Sequence, residues 1–263
     1  ERNPNMQKQV TPTGAEGATG RTRQRYTILL PGIPVSSNRG ALGWSTVALI
    51  ETGGLRILFD TGSYGDRSLL MARLQALSLD PQALDAVFIS HLHYDHCQNI
   101  DLFADIPLLV SERELRYVLD GEYRQRRDPY VPATTILSLK DRFQTVLDGS
   151  APFPDVRVVA LPGHTPGQAG LFLSREKILM AGDGVKNAWD FANRMSPPAF
   201  FSQDAALGNY EWVTANASEI VPGHDRPFRL RADGTPAYLT AAAEVTLTYF
   251  PDPGLEPKEV HLS

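Results

Sequence analysis

Four side chains that could bind a metal lie within six positions, in the segment His91-Leu92-His93-Tyr94-Asp95-His96. Imidazole and carboxylate groups are ligands that Zn²⁺, Fe and Mn accept in proteins. A spacing of two puts His91 and His93 on the same side of an extended backbone, and Asp95 and His96 follow where the chain turns toward a helix. The spacing therefore predicts a metal-binding site where the chain leaves the edge of a sheet.

Three more candidate ligands occur further along the chain, each flanked by glycine. They are His164 in the sequence PGHTPG, Asp183 in AGDG and His224 in PGHD. Taken alone, each of them is typical of a turn residue or a cap. Each one follows a predicted strand, however, as the 91–96 segment does. This shared position favours one metal site built from all seven side chains.

Hydrophobic patterning predicts the elements that must position these residues. Predicted strands cover 26–30, 45–50, 56–59, 86–89, 108–110, 156–161, 169–173, 177–181, 219–221 and 245–250. Predicted helices cover 66–77, a short segment beginning at Asp80-Pro81, a segment that ends near 119, and 204–217. In the 66–77 helix the buried side is expected to carry Leu69, Leu70, Leu74 and Leu77. Ser111 and Glu114 match the capping-box pattern at the start of the helix that ends near 119.

Composition and charge exclude several classes of protein. The 263 residues are 42% hydrophobic and 21% charged, as in a soluble globular protein of one large or two small domains. The net charge of −5 disfavours a general nucleic-acid binder. Cys97 is the single cysteine, which excludes an intrachain disulfide, and we expect it to be a small buried residue. No apolar run approaches the roughly 18–20 residues that span a bilayer.

The order of the motifs resembles the metallo-β-lactamase superfamily of hydrolases. H-x-H-x-D-H is followed by G-H-T-P-G, A-G-D and P-G-H, and Phe59-Asp60-Thr61-Gly62 resembles the family's early D-T-G turn. The resemblance spans roughly residues 26–230. It implies an α/β fold, a four-layer αββα sandwich with the metals at one edge of the sheets.

The resemblance also assigns a role to each ligand. His91, His93 and His164 would hold a first metal, and Asp95, His96 and His224 a second. Asp183 would bridge both, and Asp60 would lie beneath the site and orient ligands. The implied cofactor is a pair of divalent ions, for which we expect Zn²⁺, with Fe or Mn as alternatives.

The implied reaction is hydrolysis of a small carbonyl substrate (lactone, ester or thioester) by a metal-bridging hydroxide. Asp95 and Asp183 are the expected catalytic carboxylates, with Asp95 passing a proton to the departing atom. A ligand set with an aspartate at position 183 resembles that of glyoxalase II and of N-acyl-homoserine-lactone lactonases. The lactonase pattern has a tyrosine three residues after this aspartate, where this chain has Lys186. The sequence PGHDRPF from Pro222 resembles small stand-alone proteins of the superfamily.

Substrate contacts are expected from the segment after Asp183. Lys186 could bind a carboxylate or stabilise an oxyanion. Trp189 and Phe191, with Phe200 and Phe201, could form an apolar wall, and core packing is the alternative for these rings. Three other functions remain open: a metal-dependent phosphodiesterase or nuclease, an iron redox enzyme, and a non-catalytic binding protein that keeps the fold.

The sequence predicts three parts. We expect residues 1–24, which are polar and without periodicity, to form a flexible or extended N-terminal arm, 25–232 the metallo-β-lactamase-fold domain that the resemblance implies, and 233–263 a C-terminal extension packed on the same domain. The arm could reach a partner subunit, which leaves a homodimer open. We expect a cytoplasmic protein with a small-molecule substrate and no membrane or nucleic-acid partner. A processed export leader stays open because the chain begins at Glu1.

Overall fold

Two six-stranded sheets form the centre of the molecule in a computed structural model that describes residues 25–251 and 256–262. The strands are Arg25–Leu30 (β1), Ser36–Ser37 (β2), Gly40–Ala41 (β3), Val47–Thr52 (β4), Leu55–Phe59 (β5), Ala86–Ile89 (β6), Leu108–Ser111 (β7), Phe143–Val146 (β8), Val156–Ala160 (β9), Ala169–Leu173 (β10), Ile178–Gly182 (β11), Glu219–Pro222 (β12), Phe228–Leu230 (β13), Pro236–Tyr238 (β14), Val245–Tyr249 (β15) and Lys258–Leu262 (β16). The helices are Arg67–Ala76 (α1), Tyr94–Cys97 (α2), Glu112–Leu119 (α3), Glu122–Gln125 (α4), Ala133–Ser138 (α5), Ala188–Ala192 (α6) and Gln203–Asn216 (α7). Short 3₁₀ turns cover Tyr64–Asp66, Pro81–Ala83, Ile100–Leu102, Lys140–Arg142 and Asp183–Val185.

Both sheets mix parallel and antiparallel pairs. The first has the order β1-β4-β5-β6-β7-β8 and the second β14-β13-β12-β11-β10-β9. β5 to β8 run parallel in the first sheet, as do β11 and β12 in the second. Parallel neighbours end at the same edge, so the loops after β5 and β6 lie together, as do those after β11 and β12.

The strands alternate their side chains between two apolar layers. On β4, Ala48 and Ile50 pack between the sheets, against residues of β10 and β11 such as Leu171 and Met180. Val47 and Leu49 point the other way, into the layer shared with α1 and α3. A third layer joins the second sheet to α6 and α7. Strand alternation thus places helices outside both sheets and confirms the predicted four-layer αββα sandwich.

Most predicted elements are confirmed, with boundaries that move by one or two residues. The buried side of α1 is narrower than predicted: Leu70 and Leu74 are buried, whereas Leu69 and Leu77 are each 47% exposed. A helix turns about 100° per residue, so Leu69, next to Leu70 in the chain, already faces solvent, whereas Leu77 is the C-cap residue that follows the last turn of α1. The prediction for Leu69 and Leu77 was therefore wrong.

The C-terminal part adds strands beyond the predicted domain boundary. β14 pairs with β13, so the second sheet continues past residue 232, the boundary predicted from the sequence. β15 and β16 form a separate two-stranded ladder. Residues 1–24, predicted to be an arm, lie outside the described residues. Within the described residues, no helix has the length and apolarity that crossing a bilayer requires.

Candidate metal centre

The 91–96 segment leaves the first sheet directly after β6. His91 and His93 are buried on the site side, while Leu92 between them turns the opposite way into the core shared with α1 and α3. α2 begins immediately after His93 and carries Asp95 and His96. The change from extended to helical backbone after His93 thus brings the four candidate ligand side chains close together, as the spacing predicts.

The second sheet supplies the facing ligands. Asp183 follows β11, and His224 follows the parallel neighbour β12. Between the two loops, a Cβ on Gly223 would lie 2.1 Å from Asp183 Oδ1 and 2.8 Å from the backbone carbonyl carbon of Gly182, an approach that only glycine permits. His164 lies in the loop that joins β9 to β10. The structure therefore brings all seven predicted ligands to one edge.

The ligand atoms form three overlapping triads, and within each triad they lie within 4.8 Å of one another. The triads are His91, His93 and His164; His91, His96 and Asp183; and Asp95, His96 and His224. The first and third contain the residues that the resemblance assigns to the two metals.

Asp183 lies between the first and third triads. Its Oδ1 is 3.4 Å from His96 Nε2 and 3.3 Å from His224 Nε2. Its Oδ2 is 3.4 Å from His164 Nε2, on the side of the other triad. One carboxylate therefore faces ligands of both triads, which is the geometry that a bridging residue needs.

Several buried polar atoms in this cluster lack a hydrogen bond. Among the described residues, His91 Nε2, His96 Nε2, Asp183 Oδ1 and His224 Nε2 have no hydrogen-bond partner, although Asp183 Oδ1 lies at ion-pair distance from the two nitrogens of His96 and His224. Leaving such a group buried and unpaired costs about 1–3 kcal/mol, so four of them in one cluster are unfavourable unless they share a ligand. A divalent cation satisfies nitrogen and carboxylate lone pairs together, so the residues present fit the metal pair that the sequence implies.

Asp60 orients His96 from beneath the site. Its Oδ2 lies 2.7 Å from His96 Nδ1 and accepts the Ser90 hydroxyl at 2.8 Å, while its Oδ1 accepts the Ser90 N–H at 2.7 Å. Asp60 has a left-handed backbone, with φ of 57°, which is unfavourable for a residue other than glycine. With its Nδ1 held in this way, His96 turns Nε2 toward the cluster.

Asp128 does the same for His93, and sequence reasoning missed it. Its Oδ2 lies 2.8 Å from His93 Nε2 and accepts the Tyr117 hydroxyl at 2.9 Å, while its Oδ1 accepts the Tyr130 N–H at 3.0 Å. His93 is thereby left with Nδ1 toward His164 Nε2, 2.9 Å away. Asp128 lies in a segment rich in turn residues, where no motif marks it.

Burial and neighbouring charges set the ionisation of the ligands. Burial, with His96, His93 and His164 nearby, holds the pKa of His91 well below its usual value, and burial lowers the pKa of His164 to about 3. Burial opposes ionisation of Asp183, but Lys186 and nearby histidines keep its pKa well below the usual range. Neutral imidazoles at His91 and His164 and an ionised Asp183 are the forms that bind metals.

His96 has the opposite shift. Burial alone would lower the pKa of His96. The carboxylates of Asp95, Asp60 and Asp183 nevertheless hold this pKa well above the usual value. A cation among these carboxylates would supply the positive charge that protonated His96 otherwise provides. The electrostatics of the cluster therefore fit a cation as well.

Comparison with known proteins decides the family. The model of the metallo-beta-lactamase superfamily matches residues 43–224, which is more than half of the chain. The chain belongs to the metallo-β-lactamase superfamily. It is 29% identical over 200 residues to a probable metallo-hydrolase of Bacillus subtilis, covering 65% of this chain and 75% of that protein.

Two lactonases are also similar to this chain, one in sequence and one in structure. The chain is 27% identical over 160 residues to an N-acyl homoserine lactonase of a Bacillus species; the match covers 58% of this chain and 60%, less than two thirds, of that protein. AidC, a dizinc quorum-quenching lactonase in complex with a product, superposes with a TM-score of 0.61 at 17% identity, covering 76% of this chain and 80% of AidC. At that identity the superposition shows a shared fold.

A cavity of about 460 Å³ opens over the cluster. Its walls include Tyr94, Tyr130 and Phe200, and residues 33–37, 40, 41 and 43. Lys186 also lines it, with Nζ 2.5 Å from Asp183 Oδ2. The sequence-predicted lysine therefore lies at the site, where its ammonium contacts a ligand carboxylate.

The aromatic residues expected to line a pocket divide into two groups. Phe200 lines the cavity, 5.6 Å from the His93 ring. Phe191 packs in the core, with its ring 4.9 Å from that of Tyr210, and Trp189 is 63% exposed. Neither is among the cavity-lining residues in the described part of the chain. Helix α6 turns both of these side chains away from the site, so core packing is the interpretation that fits Phe191.

Phe201 and Cys97 lie outside the cavity as well. Phe201 stacks under the Arg126 guanidinium, 4.9 Å from ring centroid to Cζ. Cys97 is fully buried, and burial raises the pKa of its thiol well above the usual value. A buried, protonated thiol agrees with the prediction of a small packing residue.

Proposed function

We propose that this chain is a dinuclear metal-dependent hydrolase of a small carbonyl substrate: a lactone, an ester or a thioester. The observation that carries the proposal is the buried cluster of seven ligand side chains with four unpaired polar atoms. The similarity to a probable metallo-hydrolase and to an N-acyl homoserine lactonase supports it, as does the superposition on AidC, whose two ions are zinc.

The two ions would share the ligands as the motifs suggest. His91, His93 and His164 would hold one cation, Asp95, His96 and His224 the other, and Asp183 would contact both. Such a pair lowers the pKa of a shared water and polarises a carbonyl oxygen. Zn²⁺ fits the nitrogen-rich donor set best.

The chain's own groups supply the proton transfer and the orientation of the substrate. Asp95 lines the cavity, and His96 and His224 keep its pKa below the usual range although burial opposes this. An ionised carboxylate at this place can take a proton and return it to the departing oxygen or sulfur. Lys186 can pair with an anionic group of the substrate or with the oxyanion.

The lining of the cavity favours a carbonyl substrate over a phosphodiester. Among the cavity-lining residues that the structure describes, Lys186 is the one lysine or arginine. Arg194, which follows α6, pairs with Glu211 at 3.7 Å and does not line the cavity. The cation pair would serve either reaction, but the lining offers only this one further cationic side chain for a phosphate backbone, whereas Tyr94, Tyr130 and Phe200 offer apolar contact to an acyl chain or ring.

A substrate panel on zinc-loaded protein tests the proposal. The panel contains acyl lactones, p-nitrophenyl esters, acyl thioesters and bis(p-nitrophenyl) phosphate, with Asp183→Ala as the matched inactive variant. We expect turnover of at least one carbonyl class, which falls by at least about 100-fold in the variant. Turnover of the phosphodiester alone would favour the nuclease alternative, and no turnover by fully loaded protein would contradict the proposal.

A further inference from the structure

Glu114 is a fully buried carboxylate on α3 that lies outside the ligand set. Its Oε1 accepts the backbone N–H of Leu92 at 2.9 Å. Its Oε2 accepts the hydroxyl of Thr165 at 2.7 Å and the N–H of Gly167 at 3.1 Å. These contacts replace the capping box predicted from the sequence, because Ser111 makes no side-chain cap bond at the start of α3.

The three donors belong to two different ligand loops. Leu92 is the residue between His91 and His93, and Thr165 directly follows His164. One carboxylate therefore ties together the two loops that carry the first triad. The residues Asp95, His96 and His224 of the other cation are not among its hydrogen-bond partners in the described chain.

The attachment leaves little freedom for movement. A Cβ on Gly167 would lie 2.0 Å from the backbone nitrogen of Glu114, so the first turn of α3 packs directly against the His164 loop. Hydrogen bonds from N–H and O–H groups to a carboxylate are short and about twice as strong as neutral ones. Displacing either loop would break a charge-assisted bond inside the core.

We infer that Glu114 is a positioning residue that fixes the His91–His93 loop and the His164 loop relative to each other, and so sets the affinity of the first triad for its cation. Glu114 acts through the backbone beside the ligands and touches no reacting atom. The part of the inference that concerns the cation rests on the proposed function.

Asp225 provides a matched control. It is also buried and also accepts two backbone N–H groups and one hydroxyl, from Ala188, Arg226 and Tyr238 at 2.9, 2.7 and 2.9 Å. It directly follows His224, which belongs to the third triad, that of Asp95, His96 and His224. The variants Glu114→Gln and Asp225→Asn thus remove equivalent carboxylates on opposite sides of the cluster.

Stepwise Zn²⁺ binding, measured by competition with a chromophoric chelator, tests the cation part. In Glu114→Gln we expect the first-triad affinity to fall by about 10–100-fold and the other affinity to change by less than about threefold. Co²⁺ absorption spectra identify which triad is filled. Asp225→Asn should spare the first triad. An equal loss at both sites in Glu114→Gln, or no loss at the first triad, would overturn the inference.

Amide hydrogen exchange in the metal-free proteins tests the positioning without any cation. Glu114→Gln should speed exchange at Leu92 and Gly167 by at least about tenfold while the Ala188 and Arg226 amides stay unchanged, and Asp225→Asn should do the reverse. Unchanged exchange at Leu92 and Gly167 overturns the inference. If the wild type binds no cation, the proposed function fails, and exchange still decides the role of Glu114.

A milder variant covers the case in which Glu114→Gln does not fold. Thr165→Val removes one of the three donors and keeps the carboxylate with its two N–H bonds. We expect a loss of about three- to tenfold in affinity at the first triad, with the other triad unaffected. Equal effects at both triads would again contradict the role assigned to Glu114.

Discussion

The orientation of His93 depends on a carboxylate that is not itself a ligand. Asp128 holds Nε2 of this ring at 2.8 Å and so leaves Nδ1 for the site. We predict that Asp128→Asn lowers the affinity of the first triad for Zn²⁺ by about 10–100-fold. Tyr117→Phe removes a hydrogen bond to the same oxygen but leaves the charge, so its loss should be less than about tenfold. Equal losses in a chelator competition would contradict this order.

Lys186 gives a second prediction at this scale. Its ammonium lies in the cavity beside Asp183, where a substrate carboxylate could reach it. Lys186→Met should lower kcat/KM for an ester that carries a carboxylate by about 10–100-fold more than for its neutral analogue. Metal content is measured in parallel, because Lys186 contacts a ligand. Equal losses for both esters would show that Lys186 does not select an anion.

The clustering of the seven candidate ligands could be predicted from the sequence because each stands in a short motif at a strand end. The carboxylates that hold these residues in place could not be predicted in the same way. Asp128 and Glu114 reach their partners across the tertiary fold, 35 residues from His93 and 22 from Leu92. Local patterns describe only neighbours in the chain, which is why Glu114 matched a capping box that does not form. Trp189 and Phe191, expected as substrate contacts, do not line the cavity for a similar reason, since the direction of α6 decides what they face.

At the scale of elements, the site depends on close contact between loops that end neighbouring strands. Gly223→Ala would place a Cβ against Asp183 and the backbone of Gly182. We predict a destabilisation of about 1–3 kcal/mol and a loss of bound metal. Gly208→Ala, on the exposed face of α7 with no atom within 4 Å of the new Cβ, should instead stabilise the protein by about 0.5–1 kcal/mol. Thermal unfolding of both variants checks the contrast.

Element boundaries were predictable where a buried strand ends in a turn, as at β6 and β10. The segment from 120 to 155 was not, because α4, α5 and β8 are short and partly exposed, and their hydrophobic periodicity is weak. The β13–β14 hairpin was missed because its residues are few and mixed in polarity. Tertiary pairing rather than local propensity defines such strands.

At the scale of the whole molecule, the two sheets meet across one apolar layer, and the ligands of both sheets meet at its edge. Cation binding should therefore stabilise the packing of the two sheets in addition to its role in the proposed hydrolysis. At a free Zn²⁺ concentration about 1,000 times Kd, one site adds about 4 kcal/mol to the free energy of unfolding. Two such sites add about 8 kcal/mol, so for a domain of this size we predict that complete chelation lowers Tm by about 20 °C. An unchanged Tm after complete metal removal would contradict this coupling.

Zinc stoichiometry measured by mass spectrometry of the elements, after metal-free protein is reloaded and dialysed, tests the central claim most directly. Seven side chains in one buried cluster should retain two zinc ions per chain, and Asp183→Ala should retain at most one. A wild-type protein that retains one ion or none under these conditions would contradict the dinuclear centre.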